Sequence, residues 1–231
     1  FHGELTNRVN SLTGNKHFWK SDYMAHRRAD WMMSVKMLSV RMQSGELVND
    51  EGRKSHLLSD GVTYLYTGDG QAYHNIFPVW DWKHLPGITA EWSPQAPLGT
   101  VPSRGETGYA GGVSAGRYGC TGFLHKRAKL SALKSWFFFD EEAVALGAGI
   151  SGGEMPVHTS FDQSLKTGAV TLCEGGQERV ASGFATFDGN LDWVHHRGLG
   201  FIPLEKNRVT VSVANSTGSW REISGSASGD P

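Results

Sequence analysis

The sequence of 231 residues is long enough for one large all-β domain or two small ones, and one domain is the simpler interpretation. Its 22 basic and 23 acidic side chains give a net charge of −1, so no overall field favours binding to nucleic acid or to an anionic membrane. No apolar run approaches the roughly 18 residues that predict a membrane-spanning helix. The 30 glycines are typical of a folded protein with many tight turns.

The first predicted elements are two strands separated by a polar loop. Residues 31–41, WMMSVKMLSVR, place apolar side chains on alternate positions and therefore predict a long strand. Residues 62–66, VTYLY, predict a second strand, which ends at the Gly68-Asp69-Gly70 turn signal. The intervening stretch, residues 45–61, is GELVNDEGRKSHLLSDG and is predicted to be a loop rich in ionisable groups.

Two side chains of this loop form the first candidate site. Glu46 and Asn49 are three residues apart, so a tight turn can direct both to the same side. A carboxylate and an amide in that arrangement can orient a partner's catalytic group or hold a sugar hydroxyl. The residues alone leave a solvated polar turn as the alternative.

The next candidate feature is the aromatic segment Trp80-Asp81-Trp82. Indole rings beside a carboxylate suit stacking against a sugar ring. Burial of both tryptophans in the sandwich core is the alternative interpretation.

The remaining segments continue the pattern of strands and turns. Residues 93–119 contain several prolines and glycines and predict a long loop. Residues 132–150 predict a hairpin with an acidic tip, residues 184–194 predict another hairpin, and the alternating valines of residues 209–213 predict a strand. Because no segment shows helical periodicity, the sequence predicts antiparallel sheets packed as a large β-sandwich.

Several kinds of chemistry lack their usual sequence signatures. No HExxH, GxSxG or GxxxxGK[ST] motif occurs, which excludes the common patterns of zincins, α/β-hydrolases and P-loop enzymes. His195 and His196 are neighbours on a predicted strand and therefore point to opposite faces, which argues against a shared metal ion. Cys120 and Cys173 match no zinc spacing and either pair or remain free thiols.

Long stretches of the sequence resemble one family. Residues 17–91, which begin with HFWKSDYMAH and include GELVNDEG and NIFPVWDWKHLPGIT, are similar to the start of the central β-sandwich of family-eight polysaccharide lyases. That family comprises chondroitin, hyaluronate and xanthan lyases. LKSWFFFDEEAVALGAGI, VHTSFDQSL, DWVHHRGLGFI and STGSW are similar to the same domain in the same order. HFWKSDYMAH and NIFPVWDWKHLPGIT look closest to the broad-specificity chondroitin sulfate ABC-type lyases.

The resemblance implies a fold, an activity and a location. The fold is all-β, a large antiparallel β-sandwich of the supersandwich type in the galactose-mutarotase-like class. The activity is β-elimination of uronic-acid polysaccharides by secreted or periplasmic bacterial enzymes. That chemistry needs a base for the proton alpha to the uronate carboxylate and a group that neutralises this carboxylate. In the family a preceding helical toroid supplies most of these groups and no cofactor is required, although a structural calcium ion is compatible with the resemblance.

One functional position of the family matches this sequence. The family pattern resembles E-x-x-N-x-E-N, and ELVNDEG aligns Glu46 with the Glu that supports catalysis and Asn49 with the substrate-facing Asn. Gly52 replaces the last Asn of the pattern, so the loop geometry differs at that point. The basic residues that follow are predicted to meet sulfate or carboxylate groups of the glycan, with a solvated loop face as the alternative: Arg53, Lys54 and His56.

The resemblance also predicts how the chain is organised. Residues 1–16 are expected to be the trailing segment of a preceding region, residues 17–224 the central β-sandwich and residues 225–231 a flexible tail. The expected partners are an anionic polysaccharide and a helical toroid domain. Because these residues contain no helical toroid, little activity is expected from the chain alone. The alternatives are a non-catalytic carbohydrate-binding β-sandwich and a purely structural scaffold.

Overall fold

A computed structural model of the protein describes residues 12–48, 50–68, 70–93, 103–181 and 185–225. The strands of the first half are β1 (Gly14–Phe18), β2 (Tyr23–Arg27), β3 (Trp31–Lys36), β4 (Val62–Thr67), β5 (Thr89–Glu91), β6 (Ala110–Ser114), β7 (Gly119–Arg127) and β8 (Leu130–Phe138). Those of the second half are β9 (Ala143–Ser151), β10 (Val157–Thr159), β11 (Thr171–Glu174), β12 (Gln177–Val180), β13 (Ala185–Gly189), β14 (Trp193–His196), β15 (Leu199–Phe201) and β16 (Val209–Val213). The helical segments of the described ranges are single 3₁₀ turns at Ser55–Leu57, Gln71–Tyr73, Phe77–Val79 and Trp220–Glu222.

The strands form antiparallel sheets, as the sequence predicted. One four-stranded sheet has the order β1-β2-β3-β4 and a second has the order β6-β7-β8-β9. A third four-stranded sheet has the order β12-β11-β14-β15, and the two-stranded sheets are β10-β5 and β13-β16. The predicted all-β class is confirmed.

The inner faces of the first two sheets share one hydrophobic core. Met24 and Val35 of the first sheet pack with Phe123, Trp136 and Phe138 of the second. Strand β8 contributes one face to this core, because its buried and accessible residues alternate along its whole length. The rings of Phe123 and Trp136 stack with centroids 6.1 Å apart. This pair of sheets is the β-sandwich that carries the candidate site.

Two further cores lie beside the sandwich. The first is built from the segment between β4 and β5 and contains Trp80, Trp82, Leu85 and Ile88. The second joins the last strands of the chain and contains Val170, Leu172, Leu191, Val194 and Val213. Strand β9 differs from these buried elements, because residues 145–151 are all exposed and β9 is the terminal strand of its sheet in the described ranges.

Several predicted elements are confirmed with altered limits. The predicted strand at 31–41 ends at Lys36, because Met37, Leu38 and Ser39 are all buried and the alternation of faces stops there. The strand predicted at 62–66 is β4. The hairpin predicted at 132–150 is formed by β8 and β9.

Two predictions of local structure were wrong. Residues 93–119 are not one long loop, since they include β6 and the start of β7, although residues 94–102 lie outside the described ranges. Strand β6 has a glycine at position 112 because the neighbouring strand is close: an added Cβ would stand 2.8 Å from the Cys120 carbonyl oxygen. Residues 185–194 do not form the predicted hairpin, since β13 pairs with β16 and β14 pairs with β11 and β15, and Phe184 lies outside the described residues.

Candidate functional site

The polar loop of residues 44–60, here called the Glu46 loop, lies on the surface beside the sandwich. Its namesake Glu46 is exposed to solvent. Asn49 lies outside the described residues. The loop therefore presents the predicted carboxylate to solvent rather than to the hydrophobic core.

Two glycines determine how the Glu46 loop folds. Gly52 has φ +69°, and a Cβ at this position would collide with the Glu46 carbonyl oxygen. A Cβ on Gly45 would likewise collide with the Ser55 hydroxyl oxygen. The loop therefore closes on itself through contacts that a side chain would block. Gly52, the residue that departs from the family pattern, is required by this conformation.

The next two predicted glycan contacts are paired with carboxylates of the chain itself. Arg53 Nε donates to Asp50 Oδ1 at 2.8 Å, and this hydrogen bond lowers the pKa of the Asp50 carboxyl. Lys54 Nζ lies 2.5 Å from Glu222 Oε2. The backbone N–H of Gly225 donates to the Asp50 carbonyl at 2.9 Å. The Lys54 side chain therefore fastens the loop to the C-terminal segment, whereas Arg53 is paired within the loop, and each cation is balanced by a carboxylate of the chain.

His56 belongs to a network beneath the loop. Its Nε2 accepts a hydrogen bond from Arg127 Nη1 at 2.8 Å, which requires a neutral ring because the guanidinium can only donate. Burial and the charge of Arg127 lower the pKa of His56 and favour this neutral form. Arg127 also holds both oxygens of Asp60, with Nε–Oδ2 and Nη2–Oδ1 distances of 2.6 Å. Asp60 is 1% exposed, so this is a buried bidentate ion pair.

A cavity of about 200 Å³ adjoins this network, and its wall includes His56, Asp60, Lys83, Glu91, His125 and Arg127. Of the predicted site residues that the structure describes, His56 alone lines it. His125 Nε2 is buried and has no hydrogen-bond partner in the described part of the chain. Burial lowers the pKa of His125, which keeps the ring neutral. The balanced charges of the wall favour neither an anion nor a cation.

The tryptophan pair proposed as a sugar platform belongs to the core. Trp80 is 5% exposed and Trp82 is 3% exposed. Trp80 Nε1 donates to the Gln163 carbonyl at 3.2 Å, and Trp82 Nε1 donates to the Phe77 carbonyl at 3.1 Å. The alternative interpretation, in which these rings fill the core, is therefore the correct one.

No metal centre is formed within the described ranges, where no group of three His, Cys, Asp or Glu side chains is placed to hold an ion. His195 is exposed and His196 is buried, so they point to opposite faces of β14 as predicted. Cys120 and Cys173 are free thiols. None of the helical segments in the described residues is long and apolar enough to cross a membrane.

Sequence reasoning missed the partner that organises this site. Asp60 closes the predicted loop, but Arg127 lies 67 residues further along the chain, at the end of β7. The only signals available were an aspartate followed by Gly61 and an arginine at position 127, in a stretch to which the sequence assigned no element. Neither signal indicates that the two residues meet.

Comparisons with known proteins identify the family to which this chain belongs. A model of the polysaccharide lyase family 8 super-sandwich domain matches residues 13–231. Chondroitinase-AC of Pedobacter heparinus is 35% identical over 216 residues, which are 92% of this chain and 31% of that enzyme. Chondroitin sulfate ABC endolyase of Proteus vulgaris is 26% identical over 206 residues, which are 81% of this chain and 20% of that enzyme. The AC enzyme is thus more similar to this chain than the ABC enzyme.

A solved structure of chondroitinase AC lyase, studied as enzyme–oligosaccharide complexes, superposes with a TM-score of 0.86 and 32% identity. The superposition covers 96% of this chain and 34% of that one. This chain therefore has the antiparallel super-sandwich fold, and it belongs to polysaccharide lyase family 8. It spans between 20% and 34% of the length of the relatives described above.

Proposed function

We propose that this chain is part of a lyase that cleaves uronic-acid glycosaminoglycans, such as chondroitin sulfate or hyaluronan, by β-elimination. In this proposal the β-sandwich forms one wall of the substrate cleft, and Glu46 projects into the cleft. Membership of polysaccharide lyase family 8 supports the proposal. The observation that carries it is the exposed position of Glu46 on a loop that closes tightly on itself and is tied to the sandwich by the Asp60–Arg127 ion pair.

The chemistry assigns Glu46 a supporting role. Elimination removes the proton alpha to the uronate carboxylate, breaks the glycosidic C–O bond at the adjacent β carbon and leaves a double bond in the sugar ring. A base and a proton donor must act on these atoms, and a cationic group must face the carboxylate. A carboxylate on the opposite wall accepts hydrogen bonds from such groups and so fixes their orientation. We place Glu46 in this role and Asn49 beside it, at the sugar.

The proposal needs a partner domain that supplies the base. A helical toroid preceding this sandwich would fill that role, as the family resemblance implies. Because polymeric glycans do not enter cells intact, we place the enzyme outside the cytoplasm, secreted or periplasmic. Elimination by side chains alone needs no redox or organic cofactor, and any calcium ion would be structural.

Arg53, Lys54 and His56 take a modified role in this proposal. All three have hydrogen-bond or ion-pair partners within the chain, so they hold the loop in place before any glycan arrives. Arg53 already pairs with the Asp50 carboxylate, so a sulfate group would meet a balanced pair rather than a lone cation. We therefore assign the principal glycan contact to Glu46 and Asn49.

Ultraviolet absorption of the unsaturated uronate product tests the proposal directly. The complete product of the gene that encodes this chain is incubated with chondroitin sulfate and with hyaluronan, as wild type and as Glu46→Gln. We expect the wild type to form product and Glu46→Gln to lose about 10²-fold in kcat, because misplaced catalytic groups cost about that much. Glu142→Gln, an exposed change at a distant hairpin tip, is the matched control and should match wild type.

Three outcomes contradict the proposal or a part of it. If the complete protein yields no unsaturated product from any uronate polysaccharide, the lyase assignment fails. If it binds these glycans with an affinity that falls as salt is added but forms no product, the chain is a carbohydrate-binding module instead. If Glu46→Gln retains full turnover, the role of Glu46 is wrong even where the lyase assignment holds.

A further inference from the structure

Arg127 connects the last residues of the Glu46 loop to the rigid sandwich. It is the final residue of β7, in the sheet that packs against the main core. Its guanidinium binds both carboxylate oxygens of Asp60 at 2.6 Å. The same guanidinium donates to His56 Nε2 at 2.8 Å and to the His56 carbonyl at 3.2 Å. Four hydrogen bonds therefore fix the segment 56–60 to one strand end.

A chain of serines extends this attachment to the beginning of the loop. Arg127 Nη1 donates to Ser103 Oγ at 3.4 Å, and the backbone N–H of Ser44 donates to the Ser103 carbonyl at 2.7 Å. Ser59 Oγ donates to the Ser44 carbonyl at 2.9 Å. The two ends of the loop are thus joined to each other and to Arg127. Glu46 lies two residues from Ser44, so its position depends on this joint.

The arrangement requires an arginine rather than any cation. A guanidinium presents its N–H groups in a planar fork that can meet a carboxylate with two parallel bonds and still donate elsewhere. A lysine ammonium keeps the charge but cannot hold both oxygens of Asp60 and both His56 atoms at these distances. Arg127 is only 22% exposed and lies beneath the loop, so it acts on the loop rather than on a ligand in the cleft.

We propose that Arg127 is a positioning residue for the lyase reaction, and that its hydrogen bonds to Asp60 and His56 hold Glu46 at its place in the cleft. This inference rests on the function proposed above. It predicts that Arg127 contributes to kcat solely through Glu46. A residue that merely stabilised the fold would lower the amount of active enzyme whatever side chain stood at position 46.

A double-mutant cycle separates these two roles. The four proteins are wild type, Arg127→Ala, Glu46→Gln and the double variant, each as the complete gene product. We expect Arg127→Ala to lower kcat by about 10²-fold with little change in KM, because a displacement of about 1 Å costs that much. In the Glu46→Gln background the same change should lower kcat by less than about 2-fold, since residues that act as one unit are not additive.

Hydrogen exchange of peptides that cover residues 45–58 supplies a second readout that needs no turnover. Arg127→Ala should raise exchange there, and Arg28→Ala, which removes a half-buried arginine paired with Asp140, should leave this segment unchanged. Arg127→Lys covers the case in which Arg127→Ala fails to fold. We expect Arg127→Lys to stay folded and still to lose at least about 10-fold in kcat.

The outcomes distinguish the two proposals. The positioning role is overturned if Arg127→Lys keeps full turnover and unchanged hydrogen exchange in the loop. It is also overturned if Arg127→Ala lowers kcat by the same factor in both Glu46 backgrounds. If Glu46→Gln loses turnover while the Arg127 variants keep it, the inference fails and the proposed function stands. If neither position affects turnover, the proposed role of Glu46 fails and the inference fails with it.

Discussion

Lys134 should lower the stability of the protein at neutral pH. Its side chain is 6% exposed, it points from β8 into the sandwich, and its Nζ donates to the Gly87 carbonyl. Burial lowers the pKa of Lys134 from 10.5 to about 7, while the charge of Asp60 acts in the opposite direction. A pKa difference of this size corresponds to about 5 kcal/mol of unfavourable free energy when the group must be buried at neutral pH.

Replacement of Lys134 by Met tests this reasoning, because Met has a similar length and no charge. Loss of the donor to the Gly87 carbonyl costs about 1–3 kcal/mol, so the net stabilisation at pH 7 should be about 2–4 kcal/mol. Because the unfolded chain binds the extra proton, the stability of the wild type should rise by about 3 kcal/mol from pH 7 to pH 9.5. Urea unfolding of both proteins at the two pH values measures this. A wild type whose stability does not change with pH in this range, or a Met variant with the same pH slope, would refute the argument.

Two further predictions concern the core and the buried histidines. Trp136→Ala should lower the free energy of unfolding by about 3–5 kcal/mol in urea titrations, because Trp136 is buried. The exposed control Trp19→Ala should change it by less than about 0.5 kcal/mol. Equal effects of the two substitutions would mean that Trp136 is not a core residue. Burial lowers the pKa of both His26 and His125, so the unfolded state takes up their protons first. The contribution of these two histidines to stability should therefore be complete above about pH 6.5 and be lost as the pH is lowered, and thermal melts from pH 7 to pH 5 that show a constant Tm would contradict this.

Local features of the fold were predictable because they depend on neighbours in the sequence. Alternation of apolar residues located β3, β4 and β16, and the acidic turn located the β8–β9 hairpin. The ends of the strands were less predictable. Met37 to Ser39 are three consecutive buried residues, and alternation of apolar and polar residues does not predict burial of this kind. At the hairpin tip, Asp140 is paired with Arg117 and Arg28 rather than simply solvated, and hydrogen bonds from Arg117 and Tyr118 hold the pKa of Asp140 far below its usual range.

Features that depend on distant residues were not predictable. The Asp188-Gly189 signal indicated a turn, yet both residues lie within β13 because β16 supplies the hydrogen-bonding partner. The sequence favoured the core for the tryptophans at 80 and 82 but left a sugar platform open, and the surrounding chain places both in the core. At the candidate site, the family resemblance marked Glu46, while the pairing of Asp60 with Arg127 required the fold itself.

The exposed strand β9 has a practical consequence for anyone who handles the isolated chain. Its apolar side chains, Leu146 and Ile150 among them, face water, and its outer backbone edge ends the sheet in the described ranges. An open edge of this kind recruits strands from other molecules, so concentrated stocks of the purified sandwich will be prone to oligomer growth and precipitation. A single lysine at position 146 would act as a gatekeeper against that growth without touching the Glu46 loop.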